Sequence, residues 1–224
     1  MPTRKLAIFT ILALCATVAS LTLRTRGQVD GAGGNAGGGN GGAAVGQVGT
    51  AAVVPPKLTQ LEKLANQTGV VVVKGYTVVG DLTGDDGSNV RVSAVQFTDA
   101  ANGGSRLRGL VVHVREPNGN REAVSYVDAD EIDSLIAAVN ALANLQQTDT
   151  PLQEFEGHYA TRAELEIANV NVGGGRMIGV RSVQFLRLTG QLTWASGQFR
   201  VSRMQEFGQL LTNAKQVLGG LPNP

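Results

Sequence analysis

Gly104-Ser105-Arg106-Leu107-Arg108-Gly109-Leu110 and Gly174-Gly175-Arg176-Met177-Ile178-Gly179-Val180 carry the same plan of glycine, arginine and aliphatic positions, seventy residues apart. Each leaves a glycine turn and runs into a strand of alternating character. Downstream of each, the period changes from two to that of a helix. Ile132, Leu135, Ile136, Val139 and Leu142 share one helical face, and so do Phe207, Leu210, Leu211, Ala214, Val217 and Leu218. Asp128 with Glu131, and Ser202 with Gln205, have the spacing of capping boxes at the two helix starts. The helix phases match best at an offset of seventy-five residues, Ile132 with Phe207 and Leu135 with Leu210. These matches predict an internal duplication, with repeat one over about 69–146 and repeat two over about 152–219. The expected fold class is α+β. Each repeat supplies about four antiparallel strands followed by one helix, and a helix packs on one face of each sheet.

The strands are read outward from that core. Val70 to Val73 opens a buried strand that continues through Tyr76, Val78 and Val79. Asp85-Asp86-Gly87-Ser88-Asn89 is turn chemistry. Val90, Val92 and Ala94 alternate in one phase, and Val95 and Phe97 in the other, so a bulge is expected between them. Pro117-Asn118-Gly119 closes a hairpin between Leu110–Val114 and Arg121–Val127. In the second repeat, strands are expected at Phe155–Thr161, Leu165–Val172 and Met177–Leu188. Two short ones, Leu192–Ala195 and Phe199–Val201, are expected around Ser196-Gly197. Leu58, Leu61, Leu64 and Ala65 predict a short lead helix. A domain spanning 57–220 is long enough to bury an ordinary core without metal or crosslink.

Upstream the composition changes. Arg4 and Lys5 precede a run from Leu6 to Leu23 without a charge. A basic start followed by an apolar run is the pattern of an export signal. The run also reaches the lower length of a membrane span, so residues 1–23 are a cleaved signal peptide or a retained anchor. The expected location is therefore periplasmic or extracellular. Residues 24–56 form a linker, with eight glycines in Gly31–Ala44. Such a segment has little apolar surface to offset its ordering entropy and is expected to be disordered. Pro55-Pro56 stiffens the entry to the domain. Cys15 is the single cysteine and lies inside the apolar run, so the domain has no thiol chemistry.

Residues 57–220 hold fifteen lysines and arginines against seventeen acids. A net charge of −2 gives no basic field for nucleic acid. There is no G-x-S-x-G, S-x-x-K or HExxH pattern. His113 and His158 are the only histidines, and His113 falls on a strand. Asp81, Asp85 and Asp86 lack the glycine and glutamate of a calcium loop. Gly173-Gly174-Gly175 leads to a strand, so no helix dipole backs it as a phosphate loop. Asp128, Asp130, Glu131 and Asp133 are explained by a helix N-terminus. Glu154 with Glu156, and Glu164 with Glu166, alternate on strand faces. Trp194, the single tryptophan, shares a face with Leu192. If a polar recognition site exists, His158, Tyr159 and Arg162 form it. No cofactor and no metal ligand set is expected.

Two resemblances accompany these residues. Tyr126-Val127-Asp128-Ala129-Asp130-Glu131-Ile132-Asp133-Ser134-Leu135, followed by Phe155-Glu156-Gly157-His158-Tyr159-Ala160-Thr161-Arg162, resembles a pattern in exported bacterial proteins of unknown function. It covers about a third of the domain and implies no activity. The doubled unit of four strands and a helix is similar in topology to the Whirly single-stranded-DNA-binding fold. That family's Lys-Gly-Lys-type motif is absent, and the charge opposes DNA binding. The sequence thus points to a non-catalytic extracytoplasmic binding or structural module. A secreted or periplasmic hydrolase using Glu154 or Glu156 with His158 is the alternative, and nucleic-acid binding a weaker one. An envelope protein or polymer is the expected kind of partner.

Overall fold

Two four-stranded antiparallel sheets, each followed by a helix, account for most of the described chain. The computed structural model describes residues 57–101, 104–172, 175–186 and 191–222. The apolar run at 6–23, the linker at 24–56, and the turn glycines Gly103, Gly173 and Gly174 lie outside the described residues. All of the described residues belong to one compact unit. A lead helix α1 (Gln60–Ala65) precedes β1 (Val72–Thr83), β2 (Asn89–Asp99), β3 (Arg106–Arg115) and β4 (Glu122–Asp128), which pair in that order. Helix α2 (Ile132–Asn144) follows. The second sheet holds β5 (Phe155–Ala160), β6 (Glu166–Val172), β7 (Gly175–Leu186) and β8 (Gln191–Arg200), again in order, and α3 (Met204–Gly219) ends the fold.

The helices are exchanged between the repeats. Helix α3 lies on β1 and β2 of the first sheet, whereas α2 lies on β5 and β6 of the second. Two glycines record the close approach. A Cβ at Gly80 in β1 would stand 2.6 Å from Leu210 Cδ2, and one at Gly157 in β5 would stand 2.1 Å from Leu145 Cδ1. The helices also pack on each other where Gly208 faces Val139. Leu110, Val112, Leu135, Ile167, Phe199 and Phe207 anchor one apolar core shared by both repeats. Removing that apolar surface from water, about 25 cal/mol per Å², is the main stabilising term.

The structure corrects several expectations. The helix offset is seventy-two rather than seventy-five. Buried Ile132, Leu135, Val139 and Leu142 match buried Met204, Phe207, Leu211 and Ala214. Both helices begin with a 3-10 turn, Ala129–Glu131 and Val201–Arg203, and no side chain caps either. Asp128 instead turns to α1, accepting from Gln60 N at 2.8 Å and Leu61 N at 3.1 Å. The residues around Ser196-Gly197 form one continuous strand. The bulge lies in β1 at Val79, not in β2. Strand β2 changes phase because both its faces are buried. Val90, Val92 and Ala94 face the shared core, while Val95 and Phe97 pack under Leu61 and Leu64 of α1.

Candidate functional site

Of the three residues singled out, two meet and one stands apart. Successive residues of a strand point to opposite faces, so β5 sends His158 outward and Tyr159 inward. His158 is exposed, and Tyr159 is half-buried against the shared core. Burial, and then the nearby Glu131 carboxylate, push the Tyr159 hydroxyl above the ordinary phenol range, with Arg162 pulling the other way. Arg162 sits in the β5–β6 turn against three acids. Its Nη2 lies 2.6 Å from Asp130 Oδ2, its Nε 3.4 Å from Glu131 Oε2, and its Nη1 3.5 Å from Asp128 Oδ2. Its backbone N–H donates to Glu131 Oε1 at 2.9 Å. The hydrogen bond to Asp130 is the largest influence raising the Arg162 pKa. With its guanidinium committed to acids of the first repeat, Arg162 ties the two repeats together.

A matching tie lies on the other side, with its charges reversed. The β1–β2 turn docks on β8. Asp85 N donates to Gln198 O at 3.0 Å and Arg200 N to Asp85 Oδ2 at 2.9 Å, and Arg200 Nε lies 3.3 Å from Asp85 Oδ1. One turn brings the cation to acids and the other brings the acid to a cation. Asp86 accepts from Ser88 N at 2.9 Å, and Asp81 pairs with Arg91 at 2.8 Å. The three aspartates that loosely resemble a calcium loop are therefore turn and cross-strand partners.

The other candidates also settle into structural contacts. His113 lies 3.3 Å from Glu122 across a strand pair. Trp194 lies under the Arg121 guanidinium, 3.5 Å from its ring centroid, with Arg181 at 5.4 Å. Glu154 precedes β5. Glu156 and His158 stand side by side on its exposed face. Two shallow hollows flank α1, one of about 380 Å³ beside Lys63, Gln67 and Leu107.

Comparing the outer faces of the two sheets reveals a surface that sequence reading missed. Gly109 pairs with Val95 and Asp128, and Gly179 with Ala168 and Gln198. The two glycines therefore hold matching places. Over Gly109 lies α1, with Leu61 fully buried, and a Cβ there would stand 2.6 Å from Leu61 Cδ1. Among the described residues, a Cβ at Gly179 would meet nothing within 4 Å. Ala168, Val170 and Met177 around it are partly exposed, with His158 and Glu156 at one margin and Gln198 and Arg200 at the other. The heptapeptides supplied only the matched glycines Gly109 and Gly179, and the Leu61/Leu64 helix that distinguishes their faces lies far upstream of the first. No protein-family model matches this chain, and no curated protein matches it either.

Proposed function

We propose that this chain is a non-catalytic binding module that acts outside the cytoplasm, and that the outer face of its second sheet receives a short amphipathic helix of a partner protein. One observation carries the reading: within a duplicated fold, the face around Gly109 is covered by a helix, whereas no described residue covers the matching face around Gly179. The chain itself illustrates the geometry of cover, in which Leu61 settles on a strand glycine and Leu64, three residues on, packs with Val95, Phe97 and Val111 beside it. Gln198 occupies the place from which Asp128 accepts the first N–H groups of α1, so it offers an acceptor to an incoming helix start. Apolar anchors in a groove with a polar margin are the usual form of helix recognition. The basic start at Arg4 and Lys5, followed by the uncharged run to Leu23, supports action outside the cytoplasm.

A hydrolase working through Glu156 and His158 is the weaker reading, because both stand on an open strand face where water screens charge. Nucleic-acid binding is weaker again, given the net charge of −2 over residues 57–220. The test is photo-crosslinking in cells. A photo-reactive residue at 179 is expected to capture one envelope protein, and one at exposed Ser134 on α2 none. Equal capture at both positions, or capture at neither, would count against the proposal.

A further inference from the structure

The first seven residues of β1 form an edge of a kind that folded proteins usually blunt. Among the described residues β1 pairs only with β2. It is twelve residues long, against six for β5, the first strand of the other sheet. The last strand of each sheet is approached by a turn of the other repeat, through Ser125 with Ala163 on β4 and through Asp85 on β8. The run from Val71 through β1, expected from its valines to be a buried strand, carries instead a concentration of exposed apolar side chains: Val71 at 67%, just before the strand, and Val73 at 55%, Tyr76 at 67% and Val78 at 46% within it. These lie on both faces. Tyr76 and Val78 stand over Val95 and Ser93 on the α1 side, whereas Val73 lies on the opposite, helix α3 side. A partner covering one face would leave the other wet, but an added strand continues both.

The backbone is ready for such a strand. Ala100 N donates to Val71 O at 2.9 Å, which fixes the phase of the ladder. Val73, Gly75 and Thr77 then bond to β2, and Val72, Lys74, Tyr76 and Val78 turn their N–H and C=O groups outward. Lysine is a common guard on sheet edges. Here the Lys74 ammonium is folded back among Tyr76, Phe97 and Tyr126, 5.7–6.0 Å from their ring centroids.

From these features we infer that β1 is a dimerisation strand, and that its occupant is β1 of a second copy of this chain, running antiparallel. The sequence is self-complementary about Gly75. With Gly75 on the twofold axis, Val72 faces Val78 of the copy, Val73 faces Thr77, and Lys74 faces the ring of Tyr76. The span holds one charged residue per strand, and this register sets the two lysines on a diagonal rather than directly opposite each other. The bulge at Val79 ends the seam. A seven-residue seam is small, so the dimer is expected to dissociate on the order of 1–100 µM.

The test uses the purified full chain with Cys15 replaced by serine. Sedimentation equilibrium should give a monomer–dimer equilibrium in that range. Val73→Lys with Val78→Lys, both at exposed positions, should raise the dissociation constant about a hundredfold while leaving the circular dichroism spectrum and thermal melt intact. Gly75→Cys should form an intermolecular disulfide, because residues facing each other across a non-hydrogen-bonded pair have Cα atoms about 4.5 Å apart. A Cβ at Gly75 meets only Gln96 O, at 3.9 Å, so the variant should fold. Thr83→Cys, beyond the bulge, should not crosslink. A chain that stays monomeric at all concentrations overturns the inference. So does a dimer indifferent to the paired lysines, or crosslinking equal at positions 75 and 83.

Discussion

Replacing Gly109 and Gly179 in turn by alanine tests whether the two matching faces are really covered and uncovered. A methyl carbon at Gly109 would stand 2.1 Å from Val127 O and 2.6 Å from Leu61 Cδ1. Ordinary contact is about 3.5 Å, so the Val127 carbonyl would have to retreat by more than an ångström and the Leu61 side chain of α1 would have to give way as well. Overpacking of this kind costs about 3 kcal/mol, the upper part of the usual range. Among the described residues, the same methyl at Gly179 meets nothing within 4 Å. There the expected effect is a gain of about 0.5 kcal/mol, because alanine loses less backbone freedom than glycine when a strand forms. The two variants should differ by about 3.5 kcal/mol. With a urea slope of about 2 kcal/mol/M for a domain of this size, their unfolding midpoints should lie nearly 2 M apart. Equal midpoints would refute the reasoning, and so would a Gly179→Ala variant that loses more than about 1 kcal/mol, beyond the effect usual at an open surface position.

Further predictions concern the contacts between repeats and around α1. Ser125 and Ser182 are fully buried, and their hydroxyls lie 2.7 Å apart between β4 and β7. Ser125→Ala should cost about 1–2 kcal/mol by stranding Ser182, whereas Ser182→Ala should cost less because Ser125 keeps the Ala163 carbonyl, and the double change should cost less than the sum, as a double-mutant cycle in urea would show. Asp128→Ala should cost about 1–2 kcal/mol through the uncapped N–H groups of α1, and limited proteolysis should then cut near residues 57–69 first. Burial raises the Glu62 pKa, with hydrogen bonds from Thr59 opposing it. A folded value above the unfolded one means the folded state holds the proton more tightly. This contribution is fully present below the unfolded value of about 4.3 and is lost as pH rises through the folded value. The stability of the unaltered chain relative to Glu62→Gln should therefore increase as pH is lowered from 7 to 4, which chemical unfolding at a series of pH values would measure.

Much of the fold was legible because its signals are local. The period-two runs, the turn residues Asp85–Asn89 and Pro117–Gly119, and the helical faces of Ile132 and Phe207 each depend on neighbours within a few residues. What was not legible depended on tertiary choice. Asp128 and Glu131 have the spacing of a capping box, but the nearest unsatisfied N–H groups belong to α1 and to Arg162. The phase change in β2 reads as a bulge unless one knows that α1 buries its second face. Nothing in the periodicity of α2 or α3 says which sheet each covers. The residues His158, Tyr159 and Arg162 cluster in sequence, yet strand alternation sends His158 away from the other two. The open face at Gly179 becomes visible only when two matching surfaces are compared and one is found to carry a helix.

Exchange of helices between the repeats is the claim on which the rest stands, and dividing the chain tests it most directly. Residues 57–150 and 151–224 would be produced separately, then mixed, and followed by calorimetry and sedimentation. Neither half should melt cooperatively as a monomer, because each lacks the helix that covers its sheet. The mixture should form a one-to-one complex with a cooperative melt, favoured over either homodimer because Asp85 would meet Asp130 in one and Arg162 would meet Arg200 in the other. A half that melts cooperatively as a monomer would contradict the exchange.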